Sequence, residues 1–277
     1  MLFLGDLEII REKKNKKVIY YSDELNDDFA ENNKNIDTIK IDGKYKYIHK
    51  NPLWNIMSFI VYRIIFMPPI YFYLKLRYGL EVKNREVIKK YIKENKRGFF
   101  IYHNHTQEIV DTFLPTRVGF HRKVYLIANP DNVSIKGMKT LNKLLGALPV
   151  PGDKESTKNF IEAIEYYINK GRVISIYPEA HIWPFYTKIR NFGSVSFKYP
   201  CKFDCAVFSS TTTYQRVRKN KVKTVLYVDG PFYPDKDVSI KEAQNKLRDE
   251  VYNIMVERAQ NSNVEIIKYM EVKKEND

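Results

Sequence analysis

The chain has 277 residues, 44% hydrophobic and 14% aromatic, enough apolar material to bury a sizeable core, so wholesale intrinsic disorder is excluded. Lysine and arginine total 47 against 33 aspartates and glutamates, a formal charge of +14 that calls for anionic partners without choosing between membrane, nucleic acid and small anions. The only cysteines, Cys201 and Cys205, lie too close in sequence to build a disulfide framework, and a reducing intracellular compartment is expected.

The opening MLFLGDLEII starts apolar but has no basic segment before it and soon reaches Asp6 and Glu8, which argues against a secretion signal. Acids then dominate residues 20–43 (Asp23, Glu24, Asp27, Asp28, Glu31, Asp37 and Asp42 against Lys34 and Lys40). Residues 1–50 are therefore expected to form an acidic, loosely ordered arm. Residues 53–78 are strongly apolar, with Arg63, Lys75 and Arg77 as their only charges, and Pro68 and Pro69 divide them. A helix over residues 53–67 would be about 22 Å long, short of the ~30 Å hydrocarbon core, so residues 51–78 are expected to form an interfacial helical pair. Trp54, Tyr62, Tyr71, Tyr73 and Tyr78 suit headgroup depth, and the three cations can snorkel. A pair of buried core helices is the competing reading.

From residue 79 to residue 277 helix and strand signals alternate, which predicts an α/β domain. Residues 84–95 read as a basic helix, 99–102 and 124–128 as short buried strands, 135–145 as a helix stopped by Gly146, and 156–170 as a helix capped by Ser156 or Thr157. Strands follow at 173–177, 205–208 and 223–228, and an amphipathic helix at 239–260.

Strand ends in such folds carry sites, and three carry polar clusters here. The run His103-Asn104-His105-Thr106-Gln107-Glu108-Ile109-Val110-Asp111 holds two imidazoles and two carboxylates, the parts of a general base and its orienting partner. The His103-x-His105 pair, completed by Glu108 or Asp111, is also the beginning of a metal site, although no further histidine stands at ligand spacing. Tyr177-Pro178-Glu179-Ala180-His181 is the second cluster, with Lys188 and Arg190 downstream as cations for an anion. The third is Ser209-Ser210-Thr211-Thr212-Thr213-Tyr214-Gln215, a hydroxyl-rich run after a strand whose plainer reading is a cap for the next element.

Asn104-His105 followed by Asp111, then Tyr177-Pro178-Glu179, then an apolar strand opening onto a Ser/Thr run, resembles the lysophosphatidic acid and glycerol-3-phosphate acyltransferase superfamily over residues 79–230. That resemblance implies a mixed sheet flanked by helices, with an N-terminal apolar helical pair at the membrane. It implies that His105, paired with Asp111, deprotonates a hydroxyl that attacks an acyl thioester on coenzyme A or acyl carrier protein, with no cofactor or metal resident in the protein. Glu179, His181, Lys188 and Arg190 become candidate substrate-binding residues. Five residues separate His105 from Asp111 where the family has four, a spacing kept by His103 and Glu108, which form the alternative catalytic pair. No arginine stands in residues 146–152, where the family binds phosphate, and Ala180-His181-Ile182 replaces its glycine, threonine and arginine. The expected partners are an anionic membrane surface at the cytoplasmic face, the acyl donor and a lysophospholipid or related acceptor. Nucleic acid is not expected, because recognition signatures are missing. A metal-dependent hydrolase built on His103 and His105, and a catalytically silent lipid-binding relative, are the alternatives.

Overall fold

The computed structural model describes residues 16–30, 37–119 and 122–272, the side chains of residues 108 and 109 excepted. The opening segment read for a secretion signal, residues 1–15, and residues 31–36 of the acidic arm, with Glu31 and Lys34, lie outside the described residues.

In chain order the elements are β1 (Lys17–Tyr21), α1 (Pro52–Phe59), a π-helical turn (Ile60–Phe66), α2 (Met67–Tyr78), β2 (Glu81–Lys83) and α3 (Arg85–Glu94). There follow β3 (Phe99–His103), α4 (Glu108–Val118), β4 (Val124–Ala128), α5 (Asp131–Ser134), α6 (Lys139–Leu145), β5 (Ala147–Pro149), α7 (Lys154–Asn169) and β6 (Val173–Ile176). A 3-10 turn (Val195–Phe197), α8 (Lys198–Phe203), β7 (Val207–Arg218), β8 (Lys221–Phe232), α9 (Ile240–Ala259) and β9 (Ile267–Glu271) complete the chain.

Among the described residues seven strands form one sheet in the order β2-β8-β7-β3-β6-β4-β5, and β1 pairs with β9 in a separate ribbon. The sheet is mixed: β7 and β8 are antiparallel, whereas β3 runs parallel to both of its neighbours, β7 and β6. The alternation of side chains along a strand sends Phe99 and Ile101 into one core with Ile88, Leu114 and Phe208. Phe100 and Tyr102 enter the other, with Phe160, Ile164, Leu247 and Val251. Both faces of β3 are therefore covered, so its run of apolar residues is continuous rather than alternating with polar ones. α7 starts at an Asp153 capping box, one turn earlier than the Ser156 or Thr157 cap expected from sequence, because Asp153 Oδ1 accepts from Ser156 N at 2.7 Å.

Three expectations need correction. Residues 52–78 form one continuous helix of 27 residues, about 40 Å long, rather than a pair. Pro68 and Pro69 occupy the first positions of α2, where missing N–H groups are tolerated. The wide turn before them is closed by Met67 N donating to Tyr62 O. The described parts of the N-terminal arm are docked rather than loose: β1 lies on β9, and Ile41 and Tyr47 are buried in the main core. The Ser/Thr run is no cap; it forms the buried interior of β7.

The loop after β6 is pinned by Trp183, which is fully buried, stacks on Tyr269 with ring centroids 5.0 Å apart and donates Nε1–H to Asp27 O at 2.8 Å. Within that loop Ala180 has φ 62°, a left-handed conformation in which a Cβ meets the following carbonyl. Ala180→Gly is therefore expected to raise unfolding free energy by about 0.5–1 kcal/mol, read by urea denaturation. A loss of stability would show that the backbone at Ala180 is unstrained.

Candidate active site

β3 ends at His103, and the chain then runs irregularly through residues 104–107 before α4 begins at Glu108. Asn104 continues the strand ladder with its side chain, accepting from Thr212 N at 2.7 Å and donating to Thr212 O at 3.1 Å. This two-way amide pairing fixes the residue before His105 against β7. Asp111, in the first turn of α4, then reaches back. Its Oδ2 accepts from the backbone N–H groups of Thr106 and Gln107 at 2.8 and 2.9 Å and lies 2.8 Å from His105 Nδ1. The loop thus absorbs the extra residue in the His105-to-Asp111 spacing, and His105 lies outside the helix, so no helical face is shared with Glu108. Glu108 has its backbone at the start of α4, and its side chain lies outside the described residues.

Burial pushes the Asp111 carboxyl up from its ordinary value, while His105 and the two backbone donors pull it back. His105 keeps 16% side-chain exposure and stacks on the ring of Tyr177, centroids 4.3 Å apart. The Tyr177 hydroxyl donates to Asp111 O, which ties the second motif to the first. His103 differs from its neighbour. It is buried beneath the same Tyr177 ring, its Nε2 has no hydrogen-bond partner, and burial, with His105 nearby, pushes its pKa down to about 3. A neutral, enclosed imidazole of that kind has no route to a substrate proton.

Glu179 and Arg190, both expected at the substrate, are turned inward and pair with each other at 3.4 Å with side chains 1% exposed. Glu179 Oε2 accepts from His105 N at 3.2 Å and Oε1 from Arg190 N at 3.3 Å, so this carboxylate braces the backbone of His105. Burial raises the Glu179 pKa, chiefly against the pull of Arg190. The Arg190 guanidinium also donates to the carbonyls of Glu179 and His181 and lies over the Trp183 ring, leaving it engaged inside the loop. It is therefore not placed to hold an anionic substrate. His181 faces Asp28 at 3.4 Å, and Lys188 is exposed. Among the described residues no three of His, Cys, Asp or Glu are grouped to hold a metal ion.

Sequence reasoning missed an apolar cleft of about 330 Å³ beside Tyr177, walled by Ile127, Val150, Pro151, Ile176 and Val195 and floored by Gly193. Its residues come from five separate segments, so only the fold assembles it. Tyr214, which the sequence placed in the third polar cluster without a role, has its hydroxyl 2.8 Å from Thr106 Oγ1 and accepts from Gln107 Nε2 at 2.9 Å, holding the loop from below.

A histidine that titrates near 3 when folded and near 6.5 when unfolded binds a proton on unfolding. Stability should therefore fall as pH drops from about 6.5 towards 3, by at most about 1.4 kcal/mol per pH unit from this group. Urea unfolding at stepped pH should show a shallower acid decline for His103→Gln than for the parent; equal slopes would mean that His103 is protonated in the folded protein.

The sequence model of the Acyltransferase family matches residues 79–231. Among solved structures, the 1-acyl-sn-glycerophosphate (LPA) acyltransferase PlsC from Thermotoga maritima is similar to this chain at 17% identity. The match covers 74% of this chain and 93% of that one, with a TM-score of 0.42. No curated protein matches significantly. The family match takes in both motif loops, the strands that carry them and all but the last residue of the β7–β8 hairpin, which is more than half of the sequence, and the chain belongs to the Acyltransferase family.

Proposed function

We propose that the protein is a membrane-associated O-acyltransferase that moves an acyl group from a thioester of coenzyme A or acyl carrier protein to a hydroxyl of a lysophospholipid or related acceptor. The observation that carries the reading is the 2.8 Å contact of His105 Nδ1 with Asp111 Oδ2. With Nδ1–H donated to the carboxylate, Nε2 is the basic nitrogen, and Asp111 stabilises the imidazolium that forms when it takes a proton. In the proposed step His105 Nε2 removes the acceptor hydroxyl proton as the oxygen attacks the thioester carbonyl. The tetrahedral intermediate then expels the thiolate, which takes the proton from Nε2, so His105 ends unchanged. Glu179 acts as a positioning residue through the backbone of His105, not as a substrate ligand.

The apolar cleft next to Tyr177 has the chemistry for an acyl chain, and the smallest wall residue, Gly193, has no atom within 4 Å of where a Cβ would stand. Membrane association is supported by the helix of residues 52–78, which leaves Leu53, Ile56, Phe59, Ile64, Phe72 and Leu76 exposed while burying Tyr62, Ile70 and Leu74. An LPA-type acceptor is the substrate named for the Thermotoga maritima relative.

His105→Ala should lower transfer from labelled acyl thioesters to a panel of lyso-lipids by about 10²–10⁴-fold, with Asp111→Asn nearly as harmful and His103→Gln far less so. The assignment fails if His103→Gln is the damaging change. Independently, Gly193→Leu should lower kcat/KM for long acyl donors about tenfold more than for short ones, because each excluded methylene forfeits burial; an equal effect on all chain lengths would remove the cleft from the acyl site.

A further inference from the structure

At the opposite, N-terminal ends of the strands, residues in and just before β4, β5 and β6 line a second cavity, of about 360 Å³, together with one face of the α1 helix and its π-helical turn. Arg172, before β6, lines it, whereas Tyr177, after β6, stacks on His105. The strand between them separates the two places by about 16 Å. The cavity is therefore no extension of the cleft beside His105.

Its walls are basic and aromatic. Lys46, Lys123, Lys143, Lys170 and Arg172 line it, and no aspartate or glutamate does among the described residues. Three of these cations, Lys123, Lys143 and Lys170, rest on ring faces and carbonyls. Lys143 Nζ lies 4.4 Å from the Tyr45 ring centre, and Lys123 Nζ lies 4.8 Å from that of Tyr125 and donates to Leu144 O at 2.8 Å and to Ser58 Oγ. Burial, helped by Arg172, pushes the Lys123 pKa down to about 7, and neighbouring lysines push His49 down further after its own burial. The cluster is a concentration of positive charge with no acidic side chain in its walls among the described residues, and an anion is the group that would relieve it.

What kind of anion follows from the wall that the helix supplies. Trp54, Ser58, Phe59 and Tyr62 line the cavity; Ser58 and Tyr62 point in, whereas Phe59 stands at its rim, 60% exposed. Leu53, Ile56, Met57 and Ile60 continue that exposed apolar surface outward. A ligand seated here meets cations at its head and hydrocarbon beside it. We propose that this cavity binds the phosphate headgroup of an anionic membrane lipid, as a docking site separate from the His105 centre; the inference rests on the interfacial placement of the helix proposed above. The bound lipid would fix which face of the protein meets the bilayer and anchor the strand ends opposite to the reaction.

The test is sedimentation of the full chain with vesicles of phosphatidylcholine alone or mixed with phosphatidic acid. The parent should bind the mixed vesicles about tenfold or more tightly than the neutral ones, and Lys143→Gln/Lys170→Gln should lose most of that preference. Lys241→Gln/Lys268→Gln, which removes the same charge from exposed sites elsewhere, should keep it. Lys123→Met, which keeps most of the buried stem, should behave as the first pair does. Equal losses in the cavity and control pairs would overturn the site in favour of diffuse attraction. Full displacement from the mixed vesicles by inorganic phosphate, with neutral-vesicle binding intact, would assign the cavity to a free phosphate instead. Ile56→Ser/Phe59→Ser should weaken binding to both kinds of vesicle. Failure of the parent to bind either kind would overturn the interfacial reading together with the inference, whereas equal binding to both would overturn the inference alone.

Discussion

One carboxylate oxygen, Asp111 Oδ2, meets three nitrogens, His105 Nδ1 and the N–H groups of Thr106 and Gln107, inside a protein interior. A buried charge with fewer partners would neutralise or displace the chain around it, so the loop between β3 and α4 has little freedom to take another path. Its two ends are fixed as well: Asn104 is laced to Thr212 on β7, and Tyr177 donates to the Asp111 carbonyl from the end of β6. The orientation of the His105 ring is the consequence of these contacts, drawn from three adjacent strands and one helix.

Glu179 repeats the device from the opposite side. Its two oxygens accept from the backbones of His105 and Arg190, and Arg190 balances its charge while closing the loop on itself through the His181 and Glu179 carbonyls. Both carboxyls are raised by desolvation, so each is retained at some cost to stability, and removing either partner of the Glu179–Arg190 pair would leave an uncompensated buried charge. Groups kept at such cost are expected where position matters more than stability, which agrees with acyl transfer at His105 under the proposed reaction.

What the sequence discloses follows from the range of the interaction involved. The apolar run Phe99 to Tyr102 announces a buried strand, Gly146 ends its helix in a left-handed conformation, and Asn104-His105 with Asp111 signals a histidine with its carboxylate, because each is a pattern of nearby residues. The inward turn of Arg190 was hidden because it depends on Trp183, Glu179 and the docked acidic arm meeting in space. The two prolines suggested a break because their lost donors are a local fact, while the π-helical turn that accommodates them is a property of the whole helix packed on the core. Hydroxyl-rich Ser209 to Thr213 reads by composition as a cap for the next element; Asn104 and the ladders to β3 and β8 make it an interior strand.

The long apolar helix links the basic cavity to the core beneath α4. Ser58 and Tyr62 face the basic cavity, and about two to four turns later Ile70 and Leu74 pack in the same core as Val110 and Leu114 of α4, the helix that carries Asp111. Close-packed interiors transmit displacement rather than absorb it. Under the proposed interfacial placement, the helix would be mechanically continuous with the element that orients His105, and the loop around Asp111 Oδ2, with its three donors fixed, is the part of that path with the least room to yield. On this geometry the seat of the helix and the aim of the imidazole are set by one packing arrangement, which gives a physical reason for the apolar segment to precede the sheet directly instead of hanging from a flexible linker.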